Sequence, residues 1–191
     1  MNSLEEAIKV VRQGGIIIFP TDTAFGIGCR MDNEKAVKRL FEIKKRPREQ
    51  AVPVLFDNAS RVEEFVLPFD SVIKKLMKKY WPGALTIVLP CKTSKVNALV
   101  RGGGKTLGVR IPDHKVPMEL IKGANVPILA PSANFHGEKT PYIFEELDKA
   151  LLKRVDFVIE GEAGGSLSST VVDCSRQPWE IIRQGAILLD L

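Results

Sequence analysis

Short apolar runs that end at proline or at small polar residues recur along this chain, and they restrict it to a mixed α/β fold. Ile16-Ile17-Ile18-Phe19, closed by Pro20, is too short for a buried helix and apolar at every position, so it reads as a strand covered on both faces. Further strands are expected at Val52 to Phe56, Leu85 to Leu89, Leu107 to Ile111, Val126 to Ala130, Val155 to Ile159, Thr170 to Val172 and Ile181 to Ile182. Between them lie segments of helical period. Leu4, Ala7, Ile8 and Val11 fall on one face behind a Ser3/Glu6 capping box, and Gly14-Gly15 stops that helix. Asp32 or Asn33 can cap a second, with Val37, Leu40, Phe41 and Lys44 spaced i, i+3, i+4, i+7 and Pro47 as terminator. A third starts at Asp70 or Ser71, turns Val72, Ile73, Leu76, Met77 and Tyr80 inward, and breaks at Trp81-Pro82-Gly83. Helical segments are also expected near Met118 to Lys122 and Ile143 to Lys153.

No repeat, low-complexity tract or linker divides the 191 residues, and 45% hydrophobic content suits one core, so residues 1–191 are expected to form a single domain. Lys and Arg exceed Asp and Glu by 28 to 23, a net charge of +5 compatible with nucleotide or nucleic-acid binding without requiring either. Cys29, Cys91 and Cys174 are odd in number and widely spaced, which argues against a disulfide framework and a zinc site. No apolar run approaches the roughly 20 residues that span a bilayer, and Met1 to Glu6 lacks the pattern of a signal peptide, so a cytoplasmic chain with no membrane partner is expected.

Chemistry concentrates at strand and helix ends. Lys44, Lys45, Arg46 and Arg48 put four cations in one short stretch; they could complement a helix dipole or face a polyanion, and Lys44 and Arg46 are expected to face solvent there. Arg110, inside an expected strand ending at Pro112, needs a carboxylate or phosphate partner. Thr21-Asp22-Thr23 and Ser132/Asn134 follow strands, where open α/β sheets place ligands, and Ser168-Ser169-Thr170 offers further hydroxyls. Arg101-Gly102-Gly103-Gly104-Lys105 is expected to be a flexible surface loop, free to close over a ligand. Gly104-Lys105-Thr106 is no P-loop, because Leu99 stands where that motif needs glycine, and no dinucleotide fingerprint follows any strand. His114 and His136 have no serine or cysteine elbow nearby, so a nucleophilic triad is not expected, nor is a metal site. What remains is Lys, Arg, Ser, Thr and Asn without an evident general base, which suits positioning and charge neutralisation, as in attack on an α-phosphate.

Taken in order, Pro20-Thr21-Asp22-Thr23 with Phe25-Gly26-Ile27-Gly28, Ile43-Lys44-Lys45-Arg46-Pro47, Trp81-Pro82-Gly83, Val109-Arg110-Ile111-Pro112, Ala130-Pro131-Ser132-Ala133-Asn134, Ser169-Thr170-Val171-Val172-Asp173 and Ile182-Arg183-Gln184-Gly185 resemble the YrdC domain of threonylcarbamoyl-AMP synthases. The resemblance implies a twisted, open mixed sheet with flanking helices around a basic cavity. It implies a nucleotidyltransferase in which L-threonine and bicarbonate give an N-carboxythreonine that attacks ATP, Mg2+ accompanying the nucleotide, with release of pyrophosphate. The product would serve a tRNA threonylcarbamoyl transferase machinery. Lys44, Arg46, Ser132 and Asn134 are implied at the reacting phosphates; Gln50, Thr106, Thr140 and Arg183 complete the implied ATP site; Thr23, Arg110 and Ala130 are implied against threonine, with Ser169 touching both sides. Phe25, Gln50-Ala51 and Leu55-Phe56 depart from the family's frequent Tyr, Asn-Pro and His. With only six residues after Gly185, the extra C-terminal domain of longer members is not expected. The alternative reading is a module that binds tRNA or double-stranded RNA in the same groove without catalysis.

Overall fold

A computed structural model describes residues 3–189. Its elements, in chain order, are α1 (Ser3–Arg12), β1 (Ile17–Pro20), β2 (Phe25–Gly28), α2 (Glu34–Lys44), β3 (Val54–Leu55), α3 (Ala59–Glu63), α4 (Ser71–Tyr80), β4 (Leu85–Pro90), β5 (Thr106–Arg110), α5 (Lys115–Ala124), β6 (Ile128–Leu129), α6 (Lys149–Leu152), β7 (Phe157–Val158), β8 (Thr170–Asp173) and β9 (Glu180–Arg183). The strands divide into two open sheets, ordered β2-β1-β7 and β6-β3-β5-β4-β8-β9. Both are mixed: β5 runs parallel to β3 and antiparallel to β4, and β1 is antiparallel to β2 and parallel to β7.

The sheets meet where β2 approaches β6. Leu129 N–H donates to Cys29 O at 2.9 Å and Ile27 N–H to Pro131 O at 2.9 Å. The approach leaves no room for a side chain at Gly28, where a Cβ would lie 2.1 Å from Leu129 O. The Phe-Gly-Ile-Gly run, poor in strand propensity and not anticipated as a strand, pairs along all four residues with β1.

The uninterrupted apolar character of β1 has a direct cause. Ile16 and Ile18 belong to the main core with β4, β5, α2 and α4, whereas Ile17 and Phe19 point into a second cluster against Ala7 and Val11 of α1 and Leu120, Ile121 and Ala124 of α5. Burying each such side chain contributes about 1.5–3 kcal/mol. The same division places Val54 and Leu129 in one cluster and Leu55 and Ile128 in the other.

Several expectations shift. Helix α1 already includes Ser3 instead of taking it as its cap. Val72, expected inward, is 52% exposed; Ile73 and Met77 are the buried residues of α4, with Leu76 and Tyr80 partly buried against the same core. The helix expected over Ile143 to Lys153 breaks into a 3-10 turn, Phe144–Glu146, and α6, since Asp148 accepts from Ala150 N–H and Leu151 N–H and thereby starts a new helix. The 101–105 loop is knitted by turns, with Gly103 N–H on Ala98 O and Gly104 N–H on Arg101 O; it does not line the cavity described below.

Candidate active site

A cleft of about 130 Å3 opens between the sheets. Its walls come from the β1–β2 turn (Thr21, Thr23), β3 and its approach (Pro53, Leu55), β4 (Thr86), β5 (Arg110), the segment after β6 (Ala130, Ser132), the entry to β8 (Ser168, Ser169) and β9 (Arg183), with Arg46 from the loop after α2. Three guanidinium groups therefore face one space, and no Asp or Glu is among its walls. Arg110 and Thr23 share it with Ser132.

Arg110 is 6% exposed and fully engaged. Its Nε donates to Gly83 O at 2.9 Å, its Nη1 to Thr23 Oγ1 at 3.0 Å, and its Nη2 lies 2.6 Å from Asp22 Oδ1. The last contact is an ion pair outside hydrogen-bond alignment whose two atoms are both shut off from solvent, so the guanidinium is anchored before any ligand arrives. Arg110 nonetheless lines the cleft and gives it positive charge that suits a carboxylate. Thr23 is set in turn by Thr21, whose Oγ1 donates to Ala24 O at 2.7 Å and stands 3.1 Å from Thr23 Oγ1.

On the opposite wall Arg183 donates from Nε and Nη2 to Ser169 O at 3.0 and 2.8 Å, and Ser169 Oγ lies 3.0 Å from Thr86 Oγ1. Tyr142 meets Ser168 hydroxyl to hydroxyl at 3.3 Å. Burial lowers the pKa of Arg183 and of Arg46, yet guanidinium stays charged at any working pH.

The Lys44–Arg48 cluster is split by how α2 ends. Lys45 adopts a left-handed conformation (φ 52°), its N–H donates to Glu42 O and Arg46 N–H donates to Phe41 O at 2.9 Å, closing the helix two residues before Pro47. Arg46 then leaves toward the cleft, its guanidinium braced by Gln50 O at 3.1 Å and Ala51 O at 2.7 Å. Lys44, expected to face solvent, is instead 2% exposed, because it continues the inward stripe of Val37, Leu40 and Phe41. Its Nζ donates to Ser132 O and Asn134 O, both at 2.5 Å. Ser132 Oγ donates to Asn134 Oδ1 at 2.5 Å, and Asn134 Nδ2 to Glu138 O at 2.6 Å.

Of the residues expected at the site, Thr23, Arg46, Arg110, Ala130, Ser132, Ser169 and Arg183 line the cleft, with Lys44 and Asn134 directly behind Ser132. Gln50, Thr106 and Thr140 do not line it. Thr106 opens β5, four residues from Arg110 and so about 13 Å along the strand. The sequence points to the Thr21-Asp22-Thr23 turn without giving Asp22 a role, and it leaves out Thr86, for which a hydroxyl within the apolar run Leu85–Leu89 is the available signal.

Residues 9–185 match the family model for Sua5, YciO and YrdC proteins, described as "Telomere recombination". The chain belongs to this family. It is 35% identical over 185 residues to the threonylcarbamoyl-AMP synthase of Bacillus subtilis, covering 96% of this chain and 54% of that protein. The crystal structure of Pyrococcus abyssi Sua5 complexed with L-threonine superimposes with a TM-score of 0.90 at 32% identity, covering 95% of this chain and 54% of that one. Escherichia coli YciO superimposes with a TM-score of 0.85 at 28% identity over 95% of this chain and 88% of its own. This chain thus spans about half the length of the first two relatives.

Proposed function

We propose that this chain, folded as a single YrdC-like unit, is an L-threonylcarbamoyladenylate synthase that joins L-threonine, bicarbonate and ATP and releases pyrophosphate. The observation that carries the reading is one cleft walled by Arg46, Arg110 and Arg183 and by no acidic residue. Such a space takes a carboxylate and a polyphosphate side by side. Arg110 and Thr23 hold the threonine carboxylate, with Ala130 and Ser169 against its body. Arg46, Ser132 and Arg183 hold the phosphates, and Asn134 orients the Ser132 hydroxyl. A nucleotide exceeds the cleft and continues across its mouth, where Gln50, Thr140 and Thr106 are assigned to the ATP side. Mg2+ travels on the phosphates of ATP, since no carboxylate of the cleft wall is available to hold it.

The chemistry asks little proton transfer of the protein. The threonine amine adds to bicarbonate and water leaves, giving a carbamate; a carbamate oxygen attacks the α-phosphorus, the α–β P–O bond breaks, and pyrophosphate departs with its electron pair. Charge accumulates on the leaving group, where Arg46 and Arg183 meet it. The product is a mixed anhydride and so an acyl donor, consumed by a transferase that delivers the group to adenosine in tRNA, in the cytoplasm. Pyrophosphate release with ATP, Mg2+ and bicarbonate should depend on threonine. Release independent of threonine would refute threonine as the substrate, and no release alongside RNA binding that weakens steeply with salt would favour the RNA-binding alternative.

A further inference from the structure

Lys44 stands apart from the other cations of the site. It is 2% exposed, forms no ion pair among the described residues, and spends its ammonium on two backbone carbonyls, Ser132 O and Asn134 O, at 2.5 Å each. Its own carbonyl accepts His136 N–H at 2.8 Å, so a single residue ties down both ends of the 132–136 segment. The charged or titratable neighbours are Arg46, two residues on, and His136, whose ring faces Gln50. Lys45 and Arg154 lie over the Phe135 ring in the same segment. All of these are cations or neutral; no carboxylate pairs with Lys44.

A buried ammonium without a counter-ion is costly unless something anionic arrives. We propose that Lys44 is a positioning residue, not a phosphate ligand: it holds the Ser132–Asn134 segment and takes as its counter-ion the polyphosphate bound on the other side of Ser132. The inference rests on the nucleotide reading above. Burial and then the charge of Arg46 bring the ammonium down to about 7, so in the empty protein much of Lys44 is neutral at physiological pH. An anion bound beside it restores the proton. The neutral amine keeps two weaker donors; the ammonium makes charge-assisted bonds roughly twice as strong. Binding would therefore tighten the segment that presents Ser132 Oγ.

The test is calorimetric titration of the full chain with Mg-ATP at pH 8 in two buffers of different ionisation enthalpy. Phosphate groups (second pKa about 6) and ordinary histidines (about 6.5) are already deprotonated there. At a pKa of about 7 roughly nine-tenths of Lys44 is neutral at that pH, so wild type should take up close to one proton per ATP. Lys44→Met should bind ATP with almost no uptake. Lys44→Arg, which carries a permanent charge, should also show none, and it serves if the Met variant does not fold. Wild-type binding without uptake, or equal uptake by a folded Lys44 variant, overturns the inference and leaves the nucleotide reading standing. No ATP binding by wild type overturns both.

Discussion

Replacing Arg110 separates what holds the cleft together from what it does. Arg110→Met deletes the hydrogen bonds to Gly83 O and Thr23 Oγ1 and leaves the Asp22 carboxylate, 12% exposed, without its cation. Breaking one partner of a buried pair costs about 3–5 kcal/mol, much of it the uncompensated charge left behind. That is a large share of the 5–15 kcal/mol expected for a whole domain. Asp22→Asn should cost less, since the exposed side of Arg110 faces a cleft that anions can enter. In the double variant neither charge remains, and its loss should fall short of the sum of the two single losses by about 2 kcal/mol. Urea denaturation at constant slope reads the four stabilities. Neither the single Arg110 variant nor the double should regain threonine-dependent pyrophosphate release, because the carboxylate anchor is gone. Single losses that add within about 0.5 kcal/mol would refute the pairing argument.

Arg46→Ala should lower kcat by about 10²–10³, equivalent to about 3–4 kcal/mol of barrier, with little change in denaturation midpoint, because its guanidinium bonds only two loop carbonyls; a variant that unfolds would return Arg46 to a structural role. Gly28→Ala should destabilise by at least about 1–3 kcal/mol, since its Cβ would meet Leu129 O at 2.1 Å and push β2 off β6; an unchanged melting midpoint would contradict that contact. The Arg39 hydrogen bond, opposed by burial and aided by the Ile16 N–H, holds the Asp156 carboxyl below its ordinary value. A lowered carboxyl contributes stability that is present above about pH 4, the unfolded value, and lost as pH falls through the folded one. Arg39→Ala should therefore flatten the acid side of the stability profile, and an identical profile would count against the pair.

Much of this could be read in the sequence because local chemistry and tertiary packing agree. Ile16–Phe19 is a buried strand with Pro20 closing it, Asn33 caps α2 through Ala36 N–H, and Asp70 caps α4 through Ile73 N–H. Thr23, Ser132, Ser169 and Arg183 meet at one cleft from segments up to 160 residues apart in sequence. That convergence is a property of the sheet order, and it came from the family pattern; no spacing rule supplied it. What escaped is physical. β2 depends on Gly28, which permits a backbone approach to Leu129, a contact invisible to strand propensity. Asp22 matters only because Arg110 lies opposite, 88 residues on. Lys44 has the charge of a solvated cation at a helix end, but its i+7 position from Val37 puts it on the buried stripe, and periodicity outranks charge there.

The central claim is that threonine, bicarbonate and the α-phosphate of ATP are joined in this cleft. Incubation with ATP, Mg2+, L-threonine and 13C-labelled bicarbonate, followed by mass spectrometry, tests it at the level of the bond formed. The account predicts an adenylate carrying both the threonyl group and one 13C atom, in amount matching the pyrophosphate released and absent from Arg110→Met. Pyrophosphate or AMP formed without a labelled threonylcarbamoyl adenylate would contradict it.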